Sequence, residues 1–372
     1  MRPRLNPIDR LKINRSSSVK ILCLRLRRIG DIVLTTPALA ALKTSLPGSE
    51  IHYVVEEPYA QLIDHHPAVD QAIIIRSKPG LREFLTLLRR LRKKHYDVVI
   101  DFHGGPRAFT ITLTTPAARK IGYHLPLKHR FYDLTIPRGK EEHPIHSVEN
   151  HLNLIRALGL SIPSVPPLAL PEALPEEREK VQRLLKQHSL QGTDFLVLHV
   201  GAGNEFRHWG RENLLLFLQL YTKEGLPLPL CLVGGPEDID TASYLLHNLP
   251  SRSTLPIINV VNHFTLRELY YFFQQARLFI GPDSGPMHIA AAAGLPLVVY
   301  FGPTLPAHFG PWQTKAIILE KNYSCRPCRQ RTCLFQDFPC LRQITPAEVW
   351  QAVQNLLHEP VDTPWRAEEN KG

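Results

Sequence analysis

The chain has 372 residues, 44% of them hydrophobic and 21% charged, and carries a net charge of +10. That length suits two domains with real cores, and the apolar runs fall far short of the ~20 residues that cross a bilayer, which excludes a transmembrane helix. Met1–Lys20 is basic and polar with no apolar segment, so it does not read as a secretory signal, and the protein is expected in the cytoplasm.

The charge is unevenly placed. Residues 1–150 hold 25 Lys and Arg against 14 Asp and Glu, whereas residues 151–372 hold 19 against 20. A basic first half points to an anionic partner: nucleic acid, an anionic membrane surface and a phosphorylated lipid all fit. The run Arg89–Lys94 sits on an amphipathic pattern and by itself reads as a solvated face.

In chain order, Val19–Leu26 predicts a buried strand, apolar but for Lys20 and Arg25. The turn Arg28-Ile29-Gly30-Asp31 leads into a helix over Ile32–Leu46, stopped by Pro47-Gly48. Strands are expected at Ile51–Val55, Gln71–Ile75 and Asp97–Asp101, with a helix over Leu81–Lys94. Pro163–Pro175 is too rich in proline for regular structure and reads as a semi-rigid linker. Beyond it come a helix to Gln187 and one over Arg211–Thr222. Strands follow at Phe195–Val200, Pro229–Val233, Ile257–Val261, Leu278–Ile280 and Leu297–Phe301. The amphipathic helix Pro346–Leu357 can pack on either domain. This alternation predicts two α/β domains, each a doubly wound parallel sheet, with a cleft between them.

The boundaries drawn are a basic arm 1–18, a first domain 19–165, a linker 166–178, a second domain 179–345, a terminal helix 346–358 and a tail 359–372. Met1–Ser18 and Val361–Gly372 are expected to be disordered.

Gly281–Gly294 is the most informative stretch. A strand ends at Gly281 and an Ala-rich helix covers Met287–Ala293, with Asp283 or Ser284 to cap it and Gly294 to stop it. Backbone N–H groups at such a helix start form an anion site, and Asp283 can accept hydrogen bonds from hydroxyls, a combination that suits a nucleotide-sugar. An ordinary strand–turn–helix joint explains the same residues. The loop His199–Asn204, followed by Arg207, offers a second glycine-rich turn with a cation for a diphosphate. Gly234–Asp238 carries two acids, Glu237 and Asp238, that can bind ribose hydroxyls. The first βα turn lacks the Gly-x-Gly-x-x-Gly spacing of a dehydrogenase. It offers instead Asp31, which is either a general base or a helix cap.

Asp283-Ser284-Gly285-Pro286-Met287-His288 resembles the Asp-x-Gly-x-x-His signature of glycosyltransferase family nine, the ADP-heptose:lipopolysaccharide heptosyltransferases. Arg25–Leu39 and Pro296–Thr304 are similar to that family too, and the resemblance runs from about Val19 to Leu357. It implies a GT-B fold of two Rossmann-like domains, acceptor on the first and donor on the second, with inversion at the anomeric carbon and no metal. Asp31 matches the family's base and Asp283 the acid that holds the donor sugar. Ser284, Gly285, Met287 and His288 match the diphosphate loop, although Pro286 has no N–H to donate. Arg207 stands where the family usually has Lys, and Gly201 and Ala202 where some members carry hydroxyls. His103 replaces a frequent Gln in the acceptor-side loop, where Arg27, Arg28 and Arg107 are also assigned. The implied partners are a nucleotide-sugar, ADP-heptose by resemblance, and an anionic glycolipid at the cytoplasmic face of the inner membrane. A different nucleotide-sugar or glycan acceptor, or a non-catalytic anion-binding relative, is the alternative. Nucleic acid is not expected, because no recognition motif accompanies the cations.

No cofactor is required on this reading. Cys325, Cys328, Cys333 and Cys340 suit either free thiols in a packed loop or a structural zinc site. Cys23 and Cys231 read as core residues.

Overall fold

The computed structural model describes residues 18–139, 144–250 and 256–358. Most of the basic arm and all of the tail lie outside them. The chain divides into two compact units, 1–172 and 173–372.

The first unit is built on a parallel six-stranded sheet: β1 (Lys20–Leu24), β2 (Glu50–Glu56), β3 (Gln71–Ile75), β4 (Tyr96–Asp101), β5 (Ala117–Tyr123) and β6 (Leu134–Ile136). Its spatial order is β3-β2-β1-β4-β5-β6. The second unit repeats the plan with β7 (Leu196–His199), β8 (Leu230–Val233), β9 (Ile257–Asn259), β10 (Leu278–Pro282), β11 (Leu297–Phe301) and β12 (Ala316–Glu320), in the order β12-β11-β10-β7-β8-β9. Both are the doubly wound order, so each sheet has a switch point beside its first strand: between β1 and β4, and between β7 and β10. Strands buried on both faces explain the continuous apolar runs.

The structure differs from the expectation in instructive places. The single helix expected over Ile32–Leu46 is two, Ile29–Val33 and Thr36–Ser45. Pro37 has no N–H for the carbonyl of Val33, and the Thr36 hydroxyl donates to that oxygen instead at 2.8 Å. Asp31 therefore lies inside the first short helix. The helix Pro175–Gln187 starts on the last proline of the linker, so residues 175–178 are its first turn. The preceding proline-rich stretch has no regular structure, yet Leu168, Leu170 and Ala173 are buried. Strands β5, β6 and β12 and the helices Pro106–Thr114, Ser147–Ala157, Ile239–His247 and Leu266–Phe273 were not foreseen.

The terminal helix Pro346–His358 packs on the second unit, where the Trp350 ring meets Tyr221 edge-on at 5.8 Å. Among the described residues no helix is long and apolar enough to cross a membrane.

Candidate active site

In the first unit the chain leaves β1 through Arg25, which is only 8% exposed. A buried guanidinium needs partners, and Arg25 has two: Nη1 donates to the Phe102 carbonyl at 2.7 Å, and Nη2 pairs with Asp31 Oδ2 at 2.5 Å. Arg25 thus ties the loop after β4 to the carboxylate after β1, across the switch point. The Asp31 side chain keeps 31% exposure, enough for a substrate hydroxyl to reach it. Arg27 and Arg28 are exposed beside it.

The loop after β4 is shaped by Asp101, a fully buried carboxylate. Its Oδ1 accepts from the backbone N–H groups of His103 and Gly104, both at 2.8 Å, and its Oδ2 from the Tyr132 hydroxyl at 2.7 Å. His103 is half-buried near Arg25, and burial followed by that positive charge lowers its pKa to about 4, so it is neutral at pH 7. Arg107 is engaged elsewhere: it pairs with the buried Glu56 at 2.6 Å and donates to the Ser77 carbonyl at 2.8 Å. Its assignment to an acceptor competes with that structural bond.

In the second unit the helix Gly285–Ala292 starts directly after β10, with Ser284 in extended conformation at the N-cap position. Ser284 takes the N-cap position, but its side chain makes no capping bond. The Ser284 hydroxyl instead lies 3.1 Å from His199 Nδ1. Burial holds the His199 imidazole neutral, its pKa lowered to about 3. The N–H groups of Gly285 and Met287 lie in the first turn of that helix, ahead of its first intrahelical bond, and His288 follows them as its fourth residue, buried. Asp283 is buried and accepts from the Thr304 hydroxyl at 2.5 Å, while Arg207 Nη1 approaches its Oδ2 at 3.3 Å. The structure thus brings Arg207 and Asp283, 76 residues apart, onto one another at the β7–β10 switch point.

A Cβ on Gly201 would lie 2.0 Å from the carboxylate of Asp238, so only glycine fits beside that buried acid. Asp238 Oδ2 in turn accepts from the Gly235 N–H at 2.8 Å. A cavity of about 630 Å³ opens between the loops after β7 and β8, and Ala202, Asn204, His208, Arg211, Glu237 and Arg342 line it.

The cysteine segment braces this site. Among the described residues no three Cys, His, Asp or Glu side chains gather as a metal-holding group, and all six cysteines are free thiols. The Cys333 thiol donates to the Gln336 carbonyl, 3.5 Å away. What the segment does is brace the loops. Gln330 Oε1 accepts from Arg207 Nε at 3.1 Å and from Asn204 at 2.9 Å, and Arg326 donates to the Thr304 carbonyl at 3.0 Å.

Arg25, Thr304 and Gln330 escaped the sequence reading as site residues, and Asp238, expected as a ribose-binding acid, instead fixes the loop after β8 through the Gly235 N–H. Only Arg25 left a signal, a cation at the end of an otherwise apolar strand.

Paired doubly wound units, with an ion-paired carboxylate at one switch point and an open helix N-terminus beside a second at the other, define a glycosyltransferase of GT-B fold. Residues 84–338 match the family model Glycosyltransferase family 9 (heptosyltransferase), and the chain belongs to that family. It is 26% identical over 332 residues to lipopolysaccharide heptosyltransferase 1 of Pseudomonas aeruginosa, covering 86% of this chain and 88% of that protein. A glycosyl transferase family 9 structure from Veillonella parvula superposes with a TM-score of 0.82 at 24% identity, covering 93% of this chain and 99% of the other. Escherichia coli heptosyltransferase WaaC with ADP gives a TM-score of 0.68 at 22% identity, covering 91% of this chain and 100% of that one.

Proposed function

We propose that this protein transfers heptose from ADP-heptose to the lipid A/inner-core acceptor of lipopolysaccharide, inverting the anomeric carbon without a metal, in the cytoplasm at the inner membrane. The carrying observation is the Arg207–Asp283 pair beside the uncapped start of the helix Gly285–Ala292. A cation and the first-turn N–H groups of Gly285 and Met287 there suit a diphosphate, and an adjacent acid suits sugar hydroxyls. The names of the relatives supply heptose, ADP and lipopolysaccharide as a class.

The steps follow from the charges. Asp31, oriented by Arg25, takes the proton of an acceptor hydroxyl as its oxygen bonds to the anomeric carbon. The bond from that carbon to the diphosphate oxygen breaks, and the electron pair leaves with ADP. Arg207, the N–H groups of Gly285 and Met287, and His288 in the same loop stabilise the charge that grows on the leaving group. Asp283 accepts from the donor sugar and Glu237 from the ribose. Gly201 and Ala202 give the diphosphate only backbone, and Arg27, Arg28 and neutral His103 meet the anionic acceptor.

The test is nucleoside diphosphate release from a panel of nucleotide-sugars, with a deacylated lipopolysaccharide-core acceptor. ADP-heptose alone supports turnover, and Asp31→Asn lowers it by about 100-fold or more with donor affinity intact. Release from another donor reassigns the sugar. No turnover with any donor, or full activity in the variant, overturns the catalytic assignment.

A further inference from the structure

Beside the Asp31 site, the first unit carries an apolar and basic surface that the chemistry does not use. The helix Pro106–Thr114 begins straight after the Asp101–Gly105 loop, and the turn Lys128–Phe131 folds against it. The Phe131 ring meets Phe109 edge-on at 5.7 Å, and the Lys128 ammonium sits 5.3 Å from the centre of the Phe109 ring while donating to the Gly104 carbonyl at 3.0 Å.

The tips of this corner point away from the core. Leu127 is 76% exposed, Phe131 53%, and Leu113, one turn beyond Phe109 on the same helix, 44%. Leu127 also takes a positive φ of 64°, a conformation that costs a bulky residue energy and that no packing of its side chain offsets. Arg130 is exposed among these residues. The adjoining helix Leu81–Arg92 adds exposed Leu81 and Leu85 on an arginine-rich face. Apolar tips interleaved with cations are the pattern of a segment that lies in a membrane interface.

We propose that this corner docks onto an anionic lipid bilayer, with Leu127, Phe131 and Leu113 entering the boundary between headgroups and acyl chains and Lys128 and Arg130 pairing with lipid phosphates. Charge complementarity selects this occupant: the surface is cationic, and an anionic leaflet attracts each cation near it. The inference deepens the proposed function, because docking here would present the Asp101–Gly105 loop to a lipid-borne acceptor.

The experiment uses no donor or acceptor, so its failure is separable from failure of the catalytic reading. Flotation of the full chain is measured with phosphatidylcholine vesicles, with and without phosphatidylglycerol. The wild type binds the anionic vesicles and releases as salt rises. Leu127→Asp and Phe131→Ser each weaken binding by about tenfold, and Arg130→Gln by roughly fivefold. The melting transition serves as the folding control, and Arg130→Gln, on an exposed side chain, tests the surface without touching any packing. Absence of vesicle binding, equal binding to neutral vesicles, or unaltered binding by all three variants overturns the proposal.

Discussion

Arg25 and Asp31 show how much one side chain can set for another. Arg25 joins the Phe102 carbonyl to the Asp31 carboxylate and touches no position open to substrate, so its role is to position Asp31. Arg25→Met should lower kcat by about 10- to 100-fold with little change in donor KM, because misplacing a reacting group costs rate before it costs binding. Arg25→Lys should recover part of that loss, whereas a purely structural arginine would show equal stability defects and no split between kcat and KM. Arg107 is the contrasting case. Its bond to the buried Glu56 means that Arg107→Ala leaves an unpaired buried carboxylate, a loss of about 3–5 kcal/mol. Urea unfolding of Arg107→Ala and of Arg107→Ala with Glu56→Gln tells the roles apart. If Arg107 is structural, the second change restores stability and activity together; if it binds acceptor, activity stays low.

At the scale of elements, glycine positions and loop lengths decide what the strand ends can hold. Gly201→Ala should collide with Asp238, whose carboxylate fixes the loop after β8, and raise donor KM by about tenfold or more through overpacking. Isothermal titration with ADP reads this directly, and unchanged affinity would show that the two loops move independently. The same elements show what a sequence reveals. The strands of both sheets that lie next to the switch points were legible because burial on two faces makes them continuously apolar, and Asp31, Asp283 and Arg207 were legible because they sit at the carboxyl ends of such strands. The edge strands β6 and β12 were not, since neither buries a single residue fully and β6 is only three residues long. Nor could the sequence reveal that Thr304 and Gln330 brace Asp283 and Arg207, since contacts spanning 21 and 123 residues leave no local pattern.

On the scale of the whole molecule, two units of the same strand order differ in charge, yet both contain imidazoles held neutral by burial. His66 in the first unit has its pKa lowered to about 4 and His199 in the second to about 3, each mainly by desolvation, with His103 also lowered to about 4. An unfolded histidine titrates near 6.5, so between that value and the folded values the unfolded state binds more protons. The contribution of these groups is therefore level above pH 6.5 and lost as pH falls. Each fully buried imidazole adds a slope of up to about 1.4 kcal/mol per pH unit. Urea midpoints should fall steadily from pH 7 to pH 5, a window in which exposed carboxylates contribute little. His103→Gln should flatten part of the decline while keeping a polar group in the loop. A midpoint independent of pH across this window would mean that these imidazoles are solvated in the folded protein, and the burial argument for both units would fail with it.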